Sequence, residues 1–461
     1  MDHLFLGSIA HSKSLDDLET IENGFLAVKN GKIVGIGDRA SLPAEYSSTL
    51  PVTTLTSSQF LLPGFVDCHI HAPQYPNIGV GLDLPLLQWL ETYTFPLEAA
   101  YKDNDFASKV YSAVVRRTIS CGTTLASYFA SNYKDSSLIL AKEAVKQGQR
   151  ALIGKVCSNA SSPDYYIEKT EDSLRDTETF INGVINLKSA LVKPIITPRF
   201  ALSCTSELLT GLGGLATKYD LHIQSHISEN CDEIKAVKRM FQKGTYTEVY
   251  EDNKLLTHKC IMAHGVHLED AELKLLKKYD TAIAHCPTSN TKLRSGFCDV
   301  RRLLNAGIKV GLGTDVAGGH NVSILLAIHD ALNVSLSLNI IKKQNILGTG
   351  QIQHPSDDCN KDYQALEYKN ALYLATLGGA RALALDNVCG NFAVGKEFDA
   401  LLVDISNKPL DLFDIPLSVA EKSSASHSRL DKMIQKFLYV GDDRNINKVF
   451  ISGKQVKNHS D

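Results

Sequence analysis

The chain has 461 residues, a formal charge of -3, 44% hydrophobic and 21% charged residues, which fits two or three conventional domains or one α/β barrel with a small accessory domain. That balance argues against a broad nucleic-acid-binding surface and against a disordered acidic tail, and it suits action on small polar molecules. The ten cysteines form no CxxC pair, the opening residues lack a basic-then-apolar leader, and no window offers about 18 uninterrupted apolar residues, so reduced thiols and a soluble cytoplasmic protein without a membrane partner are expected.

In chain order, Gly24 to Gly37 carries two short strand-like runs around Asn30-Gly31, the dipeptide of tight hairpins. Residues 390–404 and 449–456 again alternate strand and turn residues, so both chain ends are expected to meet in one discontinuous β-sandwich domain. Between them, branched apolar runs ending near His71, Tyr128, Cys157, Pro198, His226, His264, His285 and Asp315 alternate with helix-forming stretches at 105–120, 137–149 and 268–279. This rhythm predicts an α/β protein, a distorted (β/α)8 TIM-like barrel, with its site at the C-terminal strand ends. The expected boundaries are 1–62 for the first part of the small β domain, 63–385 for the barrel, and 386–461 for the second part and terminal elements. Lys342-Lys343, Asp357-Asp358 and the polar C-terminal end read as solvated surface, Lys408 as an exposed turn, and the glycines of Gly211-Leu-Gly-Gly as relief of backbone crowding.

Chemistry concentrates at the strand ends. His69 and His71 are one residue apart on an extended run, so their imidazoles share a face and can grip one divalent metal. In His222-Ile-Gln-Ser-His226 the histidine at the end is the one best placed to bind metal, and Glu229 follows where a loop or first helical turn can bring its carboxylate to an activated water. His264, before Gly265, can ligate or polarise water. Asp315, after Lys309-Val-Gly-Leu-Gly-Thr, is a carboxylate whose burial needs compensation, which zinc supplies. Each residue also has a plainer reading: polar strand ends for His69 and His71, helix or loop caps for Glu229 and Asp315, and a satisfied loop histidine for His264. Gln74 reads equally as a loop hydrogen-bonder, Arg199 as a partly exposed ion-pair residue, and Phe200 as core; Trp89 and Tyr75 offer apolar walls, with core the favoured reading of Trp89.

The ordered set Pro63-Gly-Phe-Val-Asp-Cys-His-Ile-His71, Ala72-Pro-Gln-Tyr75, Thr197-Pro-Arg-Phe200, Ser225-His-Ile-Ser-Glu229, His258 to Gly265, Ala284-His-Cys-Pro-Thr-Ser-Asn290 and Gly311 to Gly319 resembles the aminohydrolase branch of the amidohydrolase superfamily over nearly the whole chain. The resemblance implies one Zn2+ per subunit held by His69, His71, His226 and Asp315, with Glu229 transferring protons and His264 contacting the water. It also implies that Gln74, Arg199 and Phe200 recognise guanine, that water attacks its C2 to leave xanthine and ammonia, and that the subunits pair as a homodimer. Lys193 opens and Arg199 ends the fourth strand region, leaving no lysine to bridge two metals. A deaminase or chlorohydrolase acting on another nitrogen heterocycle, or a barrel serving as an interaction protein, would carry many of the same residues.

Overall fold

Asn30 and Gly31 both take positive φ, 52° and 76°, the conformation that closes a two-residue hairpin. They join β2 (Leu18–Lys29) to β3 (Lys32–Asp38), and β2 pairs antiparallel with β1 (His3–Ser12). The computed structural model describes residues 2–343, 362–411, 413 and 428–457; Asp357, Asp358, Cys359 and residues 458–461 lie outside the described residues. After β4 (Val52–Thr54) and β5 (Gln59–Pro63), the chain leaves this sheet and returns as β15 (Ala400–Asp404), β16 (Ile446–Ile451) and β17 (Lys454–Lys457), with β15 antiparallel to β5. The strand order β17-β16-β15-β5-β1-β2-β3 unites the two chain ends in one mixed sheet, with β4 attached to β1.

The barrel strands are β6 (Phe65–His71), β7 (Thr123–Phe129), β8 (Arg150–Gly154), β10 (Val192–Pro198), β11 (His222–Ile227), β12 (Cys260–His264), β13 (Ala282–His285) and β14 (Val310–Leu312), all parallel and paired in sequence order. The two-residue β9 (Val156–Cys157) continues β8 beside β10. Almost every residue of these strands is buried, as expected where helices cover the outer face and side chains fill the inner one. Closure is made beyond β14, where the Asp315 amide donates to His69 O at 2.9 Å.

Helices lie between most barrel strands, and their ends follow local chemistry. Asp103 accepts from the amides of Asp105 and Phe106 to start the helix Asn104–Ser120, and Gly148, at φ 76°, ends Lys134–Gln147. In Ser206–Tyr219, a Cβ on Gly213 would stand 2.4 Å from Asn253 O, so this glycine does relieve crowding. The helix Ile324–Lys343 is long and apolar enough to cross a membrane, but half of its apolar window is buried in the fold and its Asp330 accepts from Thr288 Oγ1 at 2.5 Å. These are the contacts of a helix packed against the barrel. Lys408 is exposed in a turn, and the nine cysteines among the described residues are all free.

Inside the barrel, Val66, Cys68, Leu125, Leu152, Ile195, Ile261, Ala263, Ala282 and Ala284 form an apolar plug with Ala380, Leu383 and Cys389. A polar layer is tied through Gln224: Ser127 Oγ donates to its Oε1 (2.7 Å), and its Nε2 donates to Tyr128 O and Thr197 Oγ1. The mouth of the barrel therefore stands on a filled, hydrogen-bonded floor.

Candidate active site

His69 and His71 share one face with Ile70 on the other, as expected, but the strand leading into them is irregular. It slips against β7 between Asp67 and Ile70, so β6 has one residue more than its partner there. Cys68 can therefore pack into the interior plug while His69 and His71 both reach the mouth against Phe129, at centroid distances of 4.7 and 4.6 Å. Asp67 braces this irregularity. Its carboxylate accepts from the His69 amide (3.2 Å), the Thr314 amide (3.1 Å) and the Thr314 hydroxyl (2.6 Å).

In β11, His222, Gln224 and His226 share one phase, from floor to mouth. His226 Nδ1 donates to Arg199 O at 2.5 Å, and His264 Nδ1 donates to Asn290 Oδ1 at 2.8 Å. Each bond fixes a tautomer and turns Nε2 toward the centre with its lone pair free. Three residues around the mouth, Ser228, His264 and Asp315, take positive φ of 47°, 75° and 47°, conformations costly for side chains bearing Cβ and held here by the surrounding bonds.

One ligand atom each from His69, His226, His264 and Asp315 lies within 4.8 Å of the others. His71 joins them, with Nε2 3.2 Å from His226 Nε2 and 3.5 Å from Asp315 Oδ1. The two oxygens of Asp315 face different groups: Oδ1 is 3.2 Å from His69 Nε2, whereas Oδ2 is 3.8 Å from His264 Nε2. Beyond His264 stands Glu229, its Oε2 3.4 Å from Nε2 and its Oε1 accepting from Ser295 Oγ at 3.1 Å. Glu229 is 4% exposed, which rules out the solvent-facing cap reading. Its segment is tied to the helix Cys231–Phe241 by Glu233, whose Oε2 accepts from the Glu229 and Asn230 amides.

The electrostatics favour a cation. Burial, followed by the neighbouring imidazoles, pushes His71 and His226 well below the ordinary histidine range, and burial lowers His69 too. Burial would raise Asp315, but the surrounding histidines hold its carboxyl well below the usual range. Burial pushes Glu229 up to about 7. Burial alone would lower His264, yet Glu229 and Asp315 outweigh it and raise that imidazole. His69 Nε2 and His264 Nε2 are buried without a hydrogen-bond partner. Neutral imidazoles converging on one carboxylate, with orphaned nitrogens between them, form a donor set that fits a single zinc ion.

A cavity beside this cluster opens to solvent. His71, His226, Glu229, His264 and Asp315 form its floor; Gln74, Arg199, Phe200, Leu86, Trp89 and Leu90 form walls. Arg199 is an ion-pair residue, with Glu98, but at 3% exposed it is buried rather than partly exposed. Trp89 packs in the core, 2% exposed, and also lines the cavity, while its Nε1 donates to Val80 O at 3.1 Å. Tyr75 is not among the lining residues. Sequence reasoning missed Glu98, Glu233 and Ser295. The only local signal among them is the Asn230-x-x-Glu233 capping pattern.

The chain belongs to the amidohydrolase family, whose profile matches residues 60–456. Within that family its place is among the guanine deaminases. It is 45% identical to the guanine deaminases of Homo sapiens and Pongo abelii over 466 residues, covering 98% of this chain and 96% of each relative. The structure is also similar to that of guanine deaminase from C. acetobutylicum with bound guanine in the active site, at 35% identity and a TM-score of 0.87, over 99% of this chain and 100% of that one.

Proposed function

We propose that the chain deaminates guanine hydrolytically to xanthine and ammonia, a step of purine catabolism. The observation that carries this reading is the convergence of four histidines, Asp315 and Glu229 on one floor of a cavity whose wall presents Gln74 and Arg199.

His69, His71, His226 and Asp315 would hold one Zn2+ per subunit. The partition of Asp315 supports this set, since Oδ1 faces His69 and His71 while Oδ2 faces His264 on the side of Glu229. Bound zinc lowers the pKa of water to about 7 and so supplies a nucleophile at neutral pH. Glu229 accepts the proton of the attacking water and returns it to the nitrogen leaving C2. A carboxyl with a pKa near 7 serves both as acceptor and donor at neutral pH. His264, oriented by Asn290, holds the water on the Glu229 side. Gln74 and Arg199 donate to the oxygen-bearing edge of guanine, and Phe200, 6.3 Å from the His226 ring, closes the slot.

Zinc-loaded protein should release ammonia and xanthine in equal amounts from guanine, and chelated protein should not. Absence of both products from a folded, zinc-bearing sample would favour another heterocycle or a non-enzymatic role. We also place the protein in the cytoplasm as a homodimer. The free cysteines support the first and the family resemblance the second; light scattering of the purified protein tests the dimer.

A further inference from the structure

Glu98 is fully buried, 0% exposed, in the short helix Phe95–Ala99 that follows β6, and it is not a cavity-lining residue. Its carboxylate nevertheless holds both polar residues of the recognition wall. Arg199 donates twice, Nη1 to Oε2 at 2.5 Å and Nη2 to Oε1 at 3.2 Å, and Gln74 Nε2 donates to Oε1 at 2.9 Å. Phe95, one helical turn before Glu98, places its ring 5.1 Å from the Arg199 guanidinium carbon. The guanidinium is thus fixed by a carboxylate and an aromatic ring together.

The Gln74 amide is fixed as firmly. Its Oε1 accepts from the Ala317 amide at 3.0 Å. A peptide N–H only donates and an ionised carboxylate only accepts, so the side chain has one sense between Ala317 and Glu98, with oxygen toward the peptide and nitrogen toward the carboxylate. Arg199 keeps only N–H groups to meet a ligand, and Gln74 keeps one N–H on Nε2, while its oxygen is held toward the Ala317 peptide. A wall of donors matches the O6 and N7 acceptors of guanine, and it opposes a 6-amino group, itself a donor. Glu98 also neutralises Arg199, so the wall carries no net charge against a neutral base.

We infer that Glu98 is a positioning residue that sets the donor polarity of this wall and thereby selects a 6-oxo over a 6-amino purine. This rests on guanine being the substrate. Replacing Glu98 with Gln removes the charge, offers Gln74 a partner of either sense, and frees the Arg199 fork.

The test compares ammonia release from guanine and from 2,6-diaminopurine, which carries a 6-amino group for the 6-oxo group and lacks the N1 proton that accompanies it, by zinc-loaded wild type, Glu98→Gln and Glu98→Asp. Expected for Glu98→Gln are a guanine KM raised about 10–100-fold, kcat within about threefold, unchanged zinc content, and a preference for guanine cut at least about tenfold. Glu98→Asp keeps the charge one methylene further back and should fall between the two. An unchanged KM and preference in Glu98→Gln, or a fall in kcat alone, overturns the inference while leaving guanine turnover by wild type intact. If Glu98→Gln does not fold, the same preference measured in Glu98→Asp decides, and a wild-type value overturns it. Failure of wild type to act on guanine overturns the functional reading and this inference together.

Discussion

His226 Nδ1 donates to the carbonyl oxygen of Arg199 at 2.5 Å, so the residue we propose as a ligand reader through its side chain orients, through its backbone, an imidazole of the buried histidine cluster. β10 and β11 are neighbours in the barrel, and this bond carries their adjacency into the site. Because the link runs through the main chain, the two roles are separable by substitution. Arg199→Lys keeps the carbonyl and the positive charge but loses the fork that grips Glu98. We expect zinc content to stay at the wild-type level while KM for guanine rises about 10–100-fold; metal analysis alongside steady-state kinetics checks both.

Metal removal should act on folding as well as on turnover. The histidines and Asp315 tie β6, β11, β12 and the segment after β14 to one point. Chelation is expected to abolish turnover and lower the melting temperature, with zinc restoring both. At a free zinc concentration a thousandfold above Kd, binding contributes about 4 kcal/mol to stability. Calorimetry of chelated and zinc-loaded samples would contradict this assignment if the two melted alike.

Glu229→Gln keeps volume and the Ser295 contact but cannot carry a proton. Its kcat should fall about 10²–10⁴-fold with zinc content unchanged. Wild-type turnover in this variant would remove Glu229 from the reaction.

Asp67 touches no cavity surface, yet three donors converge on it from His69 and Thr314. Asp67→Asn turns one acceptor into a donor facing Thr314, leaving buried groups unmatched. A loss of about 1–3 kcal/mol is expected, measured by denaturant unfolding, together with lower zinc occupancy because His69 and Asp315 are no longer held in register.

His222, at the start of β11, is buried with Nε2 unpartnered, and burial lowers its pKa from 6.5 to about 4. The unfolded chain then takes up a proton that the folded chain refuses, so stability is full above pH 6.5 and is lost as pH falls toward 4. The expected loss is on the order of 2–3 kcal/mol. The slope of stability against pH across this window should flatten in His222→Gln, as followed by unfolding at several pH values.

Local sequence determined the elements and the chemical types at their ends. Asn30-Gly31 made a hairpin because two positive φ angles suit that dipeptide, and the apolar runs became parallel strands because both their faces are buried. His69, His71, His226, His264 and Asp315 were legible as strand-end polar residues that converge because polar groups ending buried strands open into the mouth of a barrel. Strand alternation placed His69 and His71 on one face but did not contain the β6 slip that turns Cys68 into the interior as well as adjacent His69, since register depends on the partner strand. It also did not contain Glu98, an acid in an apolar stretch whose meaning comes from Gln74 and Arg199, 24 and 101 residues away in sequence. Tertiary structure decided these points because a buried charge is defined by whichever groups compensate it, and barrel closure alone brings those groups together.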